Sequence, residues 1–142
     1  FSADGRRLLA LVERRTGQVY TRSELGAFDW TRATAASQPL EPTWLTRSLD
    51  RSLTTFAIGA DSRTVYALAE EAGHEKLFAV PLGGGAVRLA FEMDSGAYTN
   101  LAIAQRAPRA VLVGNWESAT RPPEVVRIDP AAGRHQALSD FN

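Results

Sequence analysis

The chain has 142 residues, enough for one domain with a hydrophobic core, and 44% hydrophobic with 23% charged residues is ordinary for a globular protein. Its net charge is zero and the two signs are interspersed, which argues against the clustered Lys and Arg of a nucleic-acid surface. Cysteine is absent, which excludes disulfides and thiolate metal sites, and no apolar run approaches the roughly 18 residues of a membrane span. We expect no nucleic-acid partner, no membrane, no cofactor and no metal.

Short apolar runs bounded by Gly, Pro, Asp or Asn predict β-strands along the whole chain, in three units at about 1–45, 46–92 and 93–142. The first unit is irregular, with strands at 7–12 and 20–30, a loop at 33–42 and a return near Leu45. The second unit has strands at 53–58, 64–68, 76–81 and 86–91. The third has strands at 98–104, 110–115, 124–128 and 136–139.

These units repeat one another. The segment from Ile58 to Leu89 has a counterpart about 45 to 48 positions later, from Ile103 to Leu138, and the opening residues 1–9 match residues 58–66. A period in the 40s built from short strands is typical of β-propeller blades. The sequence therefore predicts an all-β partial propeller of about three four-stranded antiparallel blades, the first truncated. Because the chain enters the pattern in mid-unit, we expect it to be part of a larger protein.

Two segments have features of more than one structure. The run Ala67–Ala72 has high helix propensity, but it is only about one turn long and lies inside the repeat, so we predict a strand and hairpin. Gly83-Gly84-Gly85 is not followed by the Lys-Ser/Thr of a phosphate loop. We therefore interpret the three glycines as a turn between strands.

The order of several motifs resembles a known family. Leu45-Thr46 and Asp50-Arg51-Ser52 precede the second unit, Arg121-Pro122-Pro123-Glu124 begins a strand of the third, and the chain closes on Leu138-Ser139-Asp140-Phe141-Asn142. This order resembles the propeller of prolyl oligopeptidase-family serine peptidases, in the dipeptidyl-aminopeptidase and acylaminoacyl-peptidase branch. Two turns depart from the family pattern: Ala60-Asp61-Ser62 stands where Pro-Asp-Gly is usual, and 105–107 has no Asp.

The resemblance implies a propeller that restricts access to a peptidase active site, with an α/β-hydrolase domain beyond residue 142. Peptides or acyl-peptides would be the substrates of the parent serine exopeptidase or oligopeptidase. The chain contains no Gly-x-Ser-x-Gly nucleophile motif, so we assign it no catalytic, cofactor-binding or metal residue and expect no activity from it alone. Its own hydrolase domain is the expected partner, and self-association is one way to cover open sheet edges. The sequence does not indicate a compartment.

A second function remains open, that of a non-enzymatic binding or scaffold propeller similar to the Tol-associated ones, because one fold serves many functions. A nucleophile motif downstream would favour the peptidase, and further blades would favour the scaffold.

The two histidines and the pair of adjacent glutamates are predicted to have no catalytic role. We expect His74 and His135 to be solvated surface or turn residues, and Glu70-Glu71 to lie on an exposed hairpin edge. In some relatives paired Glu residues bind a substrate amine, but that role belongs to a helical insertion not evident here.

Packing and ionic roles are expected elsewhere. Asp50 and Arg51 should form an ion pair at a blade boundary. Pro122-Pro123 should stiffen the entry to a strand. The large aromatic residues Trp30, Trp44 and Trp116 should pack between blades.

Overall fold

The computed structural model describes residues 1–31, 38–92, 95–104 and 111–141, and the strands within them form three antiparallel sheets. The first sheet has the order β1 (Arg7–Glu13), β2 (Ser23–Asp29), β3 (Thr43–Trp44). The second has the order β4 (Leu53–Ile58), β5 (Thr64–Glu71), β6 (His74–Pro81), β7 (Arg88–Phe91). The third has the order β8 (Ala97–Ile103), β9 (Leu112–Ser118), β10 (Arg121–Asp129), β11 (Arg134–Ala137). In this described part, no helix has the length and apolar character of a membrane span.

The predicted all-β class is confirmed, and β4 has its predicted bounds. Other strands differ at their ends: β5 runs three residues further than predicted, and β2 begins at Ser23 rather than at residue 20. The predicted strands at 124–128 and 136–139 are found as β10 and β11, the first longer at both ends and the second two residues earlier. Of the predicted loop at 33–42, residues 33–37 lie outside the described part, as does residue 110 of a predicted strand.

The helix-prone run belongs to β5 and the turn that follows it. Pairing of β5 with β6 continues to Glu71 and His74, so only Ala72 and Gly73 remain for the connection. Both have positive φ, 55° and 79°, as a two-residue turn that matches the twist of a hairpin requires. The ladder with β6 therefore overrides the local helix propensity.

The strands of all three sheets run between two common ends, which we name by the second sheet. The hairpin end is where Ala72-Gly73 joins β5 to β6, and the Asp-turn end is where Asp61 lies between β4 and β5. The connections 45–52 and 92–96, which lead from one sheet to the next, lie at the hairpin end. The chain therefore passes from the first sheet to the second, and from the second to the third, at the hairpin end.

Two hydrophobic clusters lie between the sheets. One joins the first and second sheets through mainly aliphatic side chains: Leu9, Leu25, Ala27, Leu45, Leu53, Val65, Ala67, Ala69, Phe78, Val80 and Leu82. The other joins the second and third sheets: Leu68, Leu77, Phe91, Tyr98, Leu101, Leu112, Val126 and Ile128. Successive residues of β5 alternate between the clusters, so both faces of the second sheet are covered.

Removing a side chain from the second cluster should weaken the contact between sheets. Leu68 is fully buried, so Leu68→Ala should lower the free energy of unfolding by about 2–5 kcal/mol. The control Leu89→Ala removes the same atoms from a side chain that is 48% exposed, and should cost under about 0.5 kcal/mol. Urea unfolding of both variants measures the difference. Equal losses at the two positions would contradict the assignment of the inter-sheet core.

Candidate functional site

The hairpin end of the first two sheets carries a charged ladder, a series of side chains of alternating sign linked by ion pairs. The ion pairs follow one another in this order: Arg14–Glu24 (3.1 Å), Arg22–Glu24 (3.7 Å), Arg22–Asp50 (3.1 Å), Arg51–Asp50 (4.0 Å), Arg51–Glu71 (3.2 Å), Lys76–Glu71 (3.2 Å) and Lys76–Glu92 (2.7 Å). The ladder runs from the β1–β2 loop across the 45–52 connection to the far strands of the second sheet. It ties the first sheet to the second at the surface above their shared cluster.

Glu24 is the anchor of this ladder because it is buried. Only 1% of the residue is exposed, and its Oε2 accepts a hydrogen bond from Arg14 Nε. Its Oε1 lies 3.7 Å from Arg22 Nη2, beyond hydrogen-bond length, so this second contact is purely between charges. A carboxylate so removed from water depends on both arginines, and losing either would leave an undercompensated buried charge.

The predicted pairing of Asp50 and Arg51 is present, but at 4.0 Å it is the longest contact in the ladder. Arg51 lies closer to Glu71, and Glu71 also contacts Lys76. The Lys76 ammonium beside Glu71 lowers the pKa of that carboxyl, and the nearby Arg51 acts in the same direction. Glu71 is therefore held as a structural carboxylate at the hairpin edge.

Glu70 lies across the strand pair from Glu75 and is exposed, so Glu70 and Glu71 take the predicted hairpin-edge position. The two side chains alternate along β5 and make different contacts, since only Glu71 belongs to the ladder. Burial raises the pKa of Glu75, and the negative charge of Glu70 raises it further. The pair Glu70-Glu71 thus does not form one binding unit.

In the third sheet, Glu124 holds the segment that follows β11. Its Oε1 accepts a hydrogen bond from Phe141 N at 2.8 Å, and its Oε2 accepts one from the Ser139 hydroxyl. Ser139 Oγ in turn accepts a hydrogen bond from Val125 N at 2.8 Å. We call these contacts the exit clamp, because they fix the chain where it leaves the sheet. The clamp joins two sequence motifs that lie 14 or more residues apart.

The prolines before Glu124 fit this arrangement. Pro122 and Pro123 lie inside β10 rather than ahead of it, in the irregular stretch where pairing with β9 shifts between Arg121 and Glu124. Prolines are tolerated in a sheet at such a bulge, because no ladder hydrogen bond is required of them there. The bulge sets the position from which Glu124 reaches the exit segment.

His135 was predicted to be solvated, and that prediction is wrong. Its Nδ1 lies 2.7 Å from the hydroxyl of Tyr98, and its ring packs edge-on against Tyr98 and Trp116. Burial lowers the pKa of His135 and raises the pKa of Tyr98. Since Tyr98 belongs to the inter-sheet cluster, the neutral imidazole is part of its packing.

His74 was also expected to be solvated. It is the first residue of β6, a strand-edge position as predicted, but it is partly buried. Its Nδ1 is inaccessible to solvent and has no hydrogen-bond partner among the described residues. The expectation of a solvated side chain is therefore wrong for this residue too.

Two of the three tryptophans, Trp30 and Trp44, differ from the prediction of inter-blade packing. Trp30 is 41% exposed and makes a T-shaped contact with Phe1. The guanidinium groups of Arg14 and Arg47 lie over the ring of Trp44, at 5.5 and 5.4 Å from its centroid. Trp116 alone packs against an inter-sheet cluster. It fits because Gly96 lies beside it, where a Cβ would be 2.5 Å from the indole nitrogen. Most of the buried residues of the two clusters are Leu or Val instead.

The Asp-turn end contains a cleft of about 390 Å³ between the first and second sheets, lined by Ser2, Asp4, Arg7, Ser62, Arg63, Leu82 and Gly83. Its polar groups are engaged in contacts within the chain: Arg7 Nη1 donates to Leu82 O at 2.5 Å, and Ala3 N donates to Ser62 Oγ at 3.0 Å. The predicted turn at residues 83–85 borders this cleft, with positive φ at Gly84 and Gly85. These contacts join the first and second sheets across the cleft.

Neither end gathers the groups of a catalytic centre from the described residues. Ser139 and His135 are bound to other partners, and no cluster of three or more His, Asp or Glu side chains in this part of the chain could hold a metal ion. The described side chains of the site hold parts of the chain in position. The charged ladder joins two sheets, and the exit clamp fixes the segment that follows the third.

Comparison with solved structures establishes the fold. The β-propeller domain of the Trilobed protease from Pyrococcus furiosus is similar over 98% of this chain, with a TM-score of 0.68 and 20% identity. The acylaminoacyl peptidase of Pyrococcus horikoshii is similar over 98% of the chain, with a TM-score of 0.66 and 21% identity. The chain is thus a partial β-propeller, and spans 36% and 19% of the length of those two chains. No protein-family model and no curated protein sequence matches it.

The burial of His135 predicts a pH dependence. Because its pKa is lowered, the folded protein binds fewer protons than the unfolded chain once the pH falls below about 6.5, and stability should fall as the pH drops from about 7 to 5. An NMR titration of the ring should give a midpoint below about 6.5. The variant His74→Gln leaves only one histidine and assigns the signal. A midpoint at or above 6.5 in that variant would contradict burial of the neutral ring.

The exit clamp predicts a local change in Glu124→Gln. The amide side chain keeps the size of Glu124 but carries no charge, so the amides of Phe141 and Val125 should exchange their hydrogens several-fold faster, since hydrogen bonds to charged groups are the stronger ones. Hydrogen exchange measured by NMR reports on each amide. The control Glu117→Gln alters an exposed carboxylate on β9 and should leave both rates unchanged. Equal rates in the two variants would show that Glu124 does not hold the segment.

Proposed function

We propose that this chain is part of the propeller of a serine peptidase of the prolyl oligopeptidase family, and that the propeller restricts which substrates reach the active site. The catalytic Ser, Asp and His would belong to an α/β-hydrolase domain of the same protein, beyond residue 142. That domain would be the partner of this chain, and peptides would be the substrates. The fragment itself would carry no catalytic residue.

The observation that carries the proposal is the structural likeness to propellers of two proteins described as a protease and an acylaminoacyl peptidase. The exit clamp adds independent support. The two elements of the third unit that resemble the family, Arg121–Glu124 and Leu138–Phe141, are joined by the hydrogen bonds of Glu124. Two motifs that are separated in the sequence are thus in direct contact in the fold.

Restriction of access would be steric. Two inter-sheet clusters and the charged ladder hold neighbouring sheets together, so a propeller of this construction resists separation of its blades. A folded protein could not pass such a wall, whereas an extended peptide could enter through a narrow opening. Under this proposal the parent enzyme would perform acyl transfer to its serine and then hydrolysis.

The test uses the whole gene product that contains this chain. A fluorophosphonate probe should label one serine outside residues 1–142, and mutation of that serine to Ala should abolish labelling and peptide hydrolysis together. The value of kcat/KM should then be measured for a short unstructured peptide and for the same sequence placed in a loop of a folded protein. We expect at least a hundredfold preference for the free peptide, about 3 kcal/mol in transition-state free energy.

The two halves of the proposal fail separately. Absence of a reactive serine, with further blades in its place, would overturn the peptidase and favour a binding propeller. A labelled serine with equal cleavage of the free and the embedded sequence would retain the peptidase and overturn the role in access.

A further inference from the structure

The cleft at the Asp-turn end continues into a second, larger space. The cleft itself has a volume of about 390 Å³, and the adjoining space has about 740 Å³. Both are lined by Arg7, Leu82 and Gly83, and the larger space extends along Ala27 and Thr43 of the first sheet. Sites for small molecules typically have roughly 300–1,000 Å³. The two spaces together are therefore large enough for a small ligand.

The two ends of the sheets differ in how their charges are paired. All ion pairs among the described residues belong to the charged ladder at the hairpin end. Three arginines at the Asp-turn end form none of them: Arg6, Arg7 and Arg63. Arg7 and Arg63 line the cleft, and Arg6 and Arg7 line the larger space. Positive charge therefore borders both spaces without a carboxylate at contact distance.

The two carboxylates that line the same spaces are bound within their own turns. Asp4 Oδ1 accepts hydrogen bonds from the Ser2 hydroxyl at 2.6 Å and from Arg6 N at 3.1 Å. The bond from Ser2, and after it the bond from Arg6 N, lowers the pKa of Asp4. Asp29 Oδ1 accepts hydrogen bonds from the backbone N and the hydroxyl of Thr31. These local donors bind the carboxylates, and the guanidinium groups stay available to a ligand.

Arg7 is fixed in the cleft and still has donors to offer. Its Nη1 donates to Leu82 O at 2.5 Å, while its Nε and Nη2 have no partner among the described residues. The side chain of Arg63 makes no hydrogen bond in this part of the chain, because only its backbone groups are engaged. A guanidinium presents its N–H groups as a planar fork, which matches the oxygens of a phosphate.

The glycine turn beside Arg7 adds backbone donors. Gly84 N donates to Pro81 O at 3.0 Å, while Gly83 N and Gly85 N donate to no described acceptor. All three glycines are exposed, and a Cβ placed on Gly83 would have no atom within 4 Å. A ligand can therefore approach the backbone closely at this position. Unpaired N–H groups of such turns form concave sites for anions.

We propose that the cleft at the Asp-turn end binds a small organic phosphate. The phosphate oxygens accept hydrogen bonds from Arg7, Arg63 and Gly83 N, and the organic group lies in the adjoining larger space. A phosphate monoester suits several guanidinium groups better than a carboxylate does, since it carries a charge of about −1.5 to −2 at pH 7 and three acceptor oxygens. The inference goes beyond the proposed function and holds whether or not the parent protein is a peptidase.

The test titrates phenyl phosphate into the 142-residue chain at low ionic strength and follows the backbone amides by NMR. The amide signals of Arg63 and Gly83 should shift together, with one Kd of about 1 mM or below. The amide of Gly73, in the turn at the hairpin end, is the internal reference and should not shift. Benzoate has the same ring and a single charge, and should bind at least about fivefold more weakly.

Two matched variants locate the site. Arg63→Gln removes a guanidinium from the cleft without breaking a described side-chain contact, and should weaken binding of phenyl phosphate about tenfold. Arg127→Gln makes the same change of charge at an exposed residue of β10 that has no ion pair among the described residues. It should change the Kd by less than about twofold.

Three results would overturn the proposal. Shifts at Gly73 with none at Arg63 and Gly83 would place the bound anion at the other end of the sheets. Equal affinity for benzoate and phenyl phosphate would show that the cleft does not recognise a phosphate. Equal Kd values for Arg63→Gln and Arg127→Gln would show that binding depends on the net charge of the chain and not on the cleft.

Discussion

A small twisted sheet that is apolar on both faces must be covered on both, and the rest of this structure depends on that constraint. The second sheet meets it with neighbours on each side. Along β5, Val65 and Ala67 pack toward the first sheet, while Tyr66 and Leu68 pack toward the third. This is why β5 is a continuous apolar run rather than an alternation with polar residues. The buried side chains between the sheets are mostly aliphatic, and of the tryptophans only Trp116 packs against them.

The sequence predicted the fold well because its signals are local and repeated. Short runs between turn residues located the eleven strands of the described ranges, and the repeat arranged them as blades. Strand ends were less predictable, since a ladder continues as long as its partner does. The strand predicted at 64–68 left Glu70 and Glu71 to the hairpin, yet their pairing with Glu75 and His74 keeps them in β5. That information lies in the register between strands, which no single segment contains.

The candidate site was predicted only in part, for the same physical reason. Asp50 and Arg51 are neighbours in sequence, so their pairing could be anticipated, whereas the tighter contact of Arg51 with Glu71 spans 20 residues. The burial of His135 depends on Tyr98, 37 residues earlier. Glu124 belongs to a motif visible in the sequence, but its hydrogen bonds to the exit segment exist only once β10 and β11 are paired.

The two ends of the sheets differ in whether their contacts are local in sequence. At the Asp-turn end, side chains of Asp4 and Asp61 bind backbone groups two residues away, so the turn is a local unit that recurs. At the hairpin end, contacts join different sheets and follow no repeat. Because a four-stranded antiparallel sheet returns the chain to the end at which it entered, the chain passes from sheet to sheet at the hairpin end. The charged ladder spans the crossing between the first and second sheets, and the exit clamp holds the segment that follows the last strand of the third.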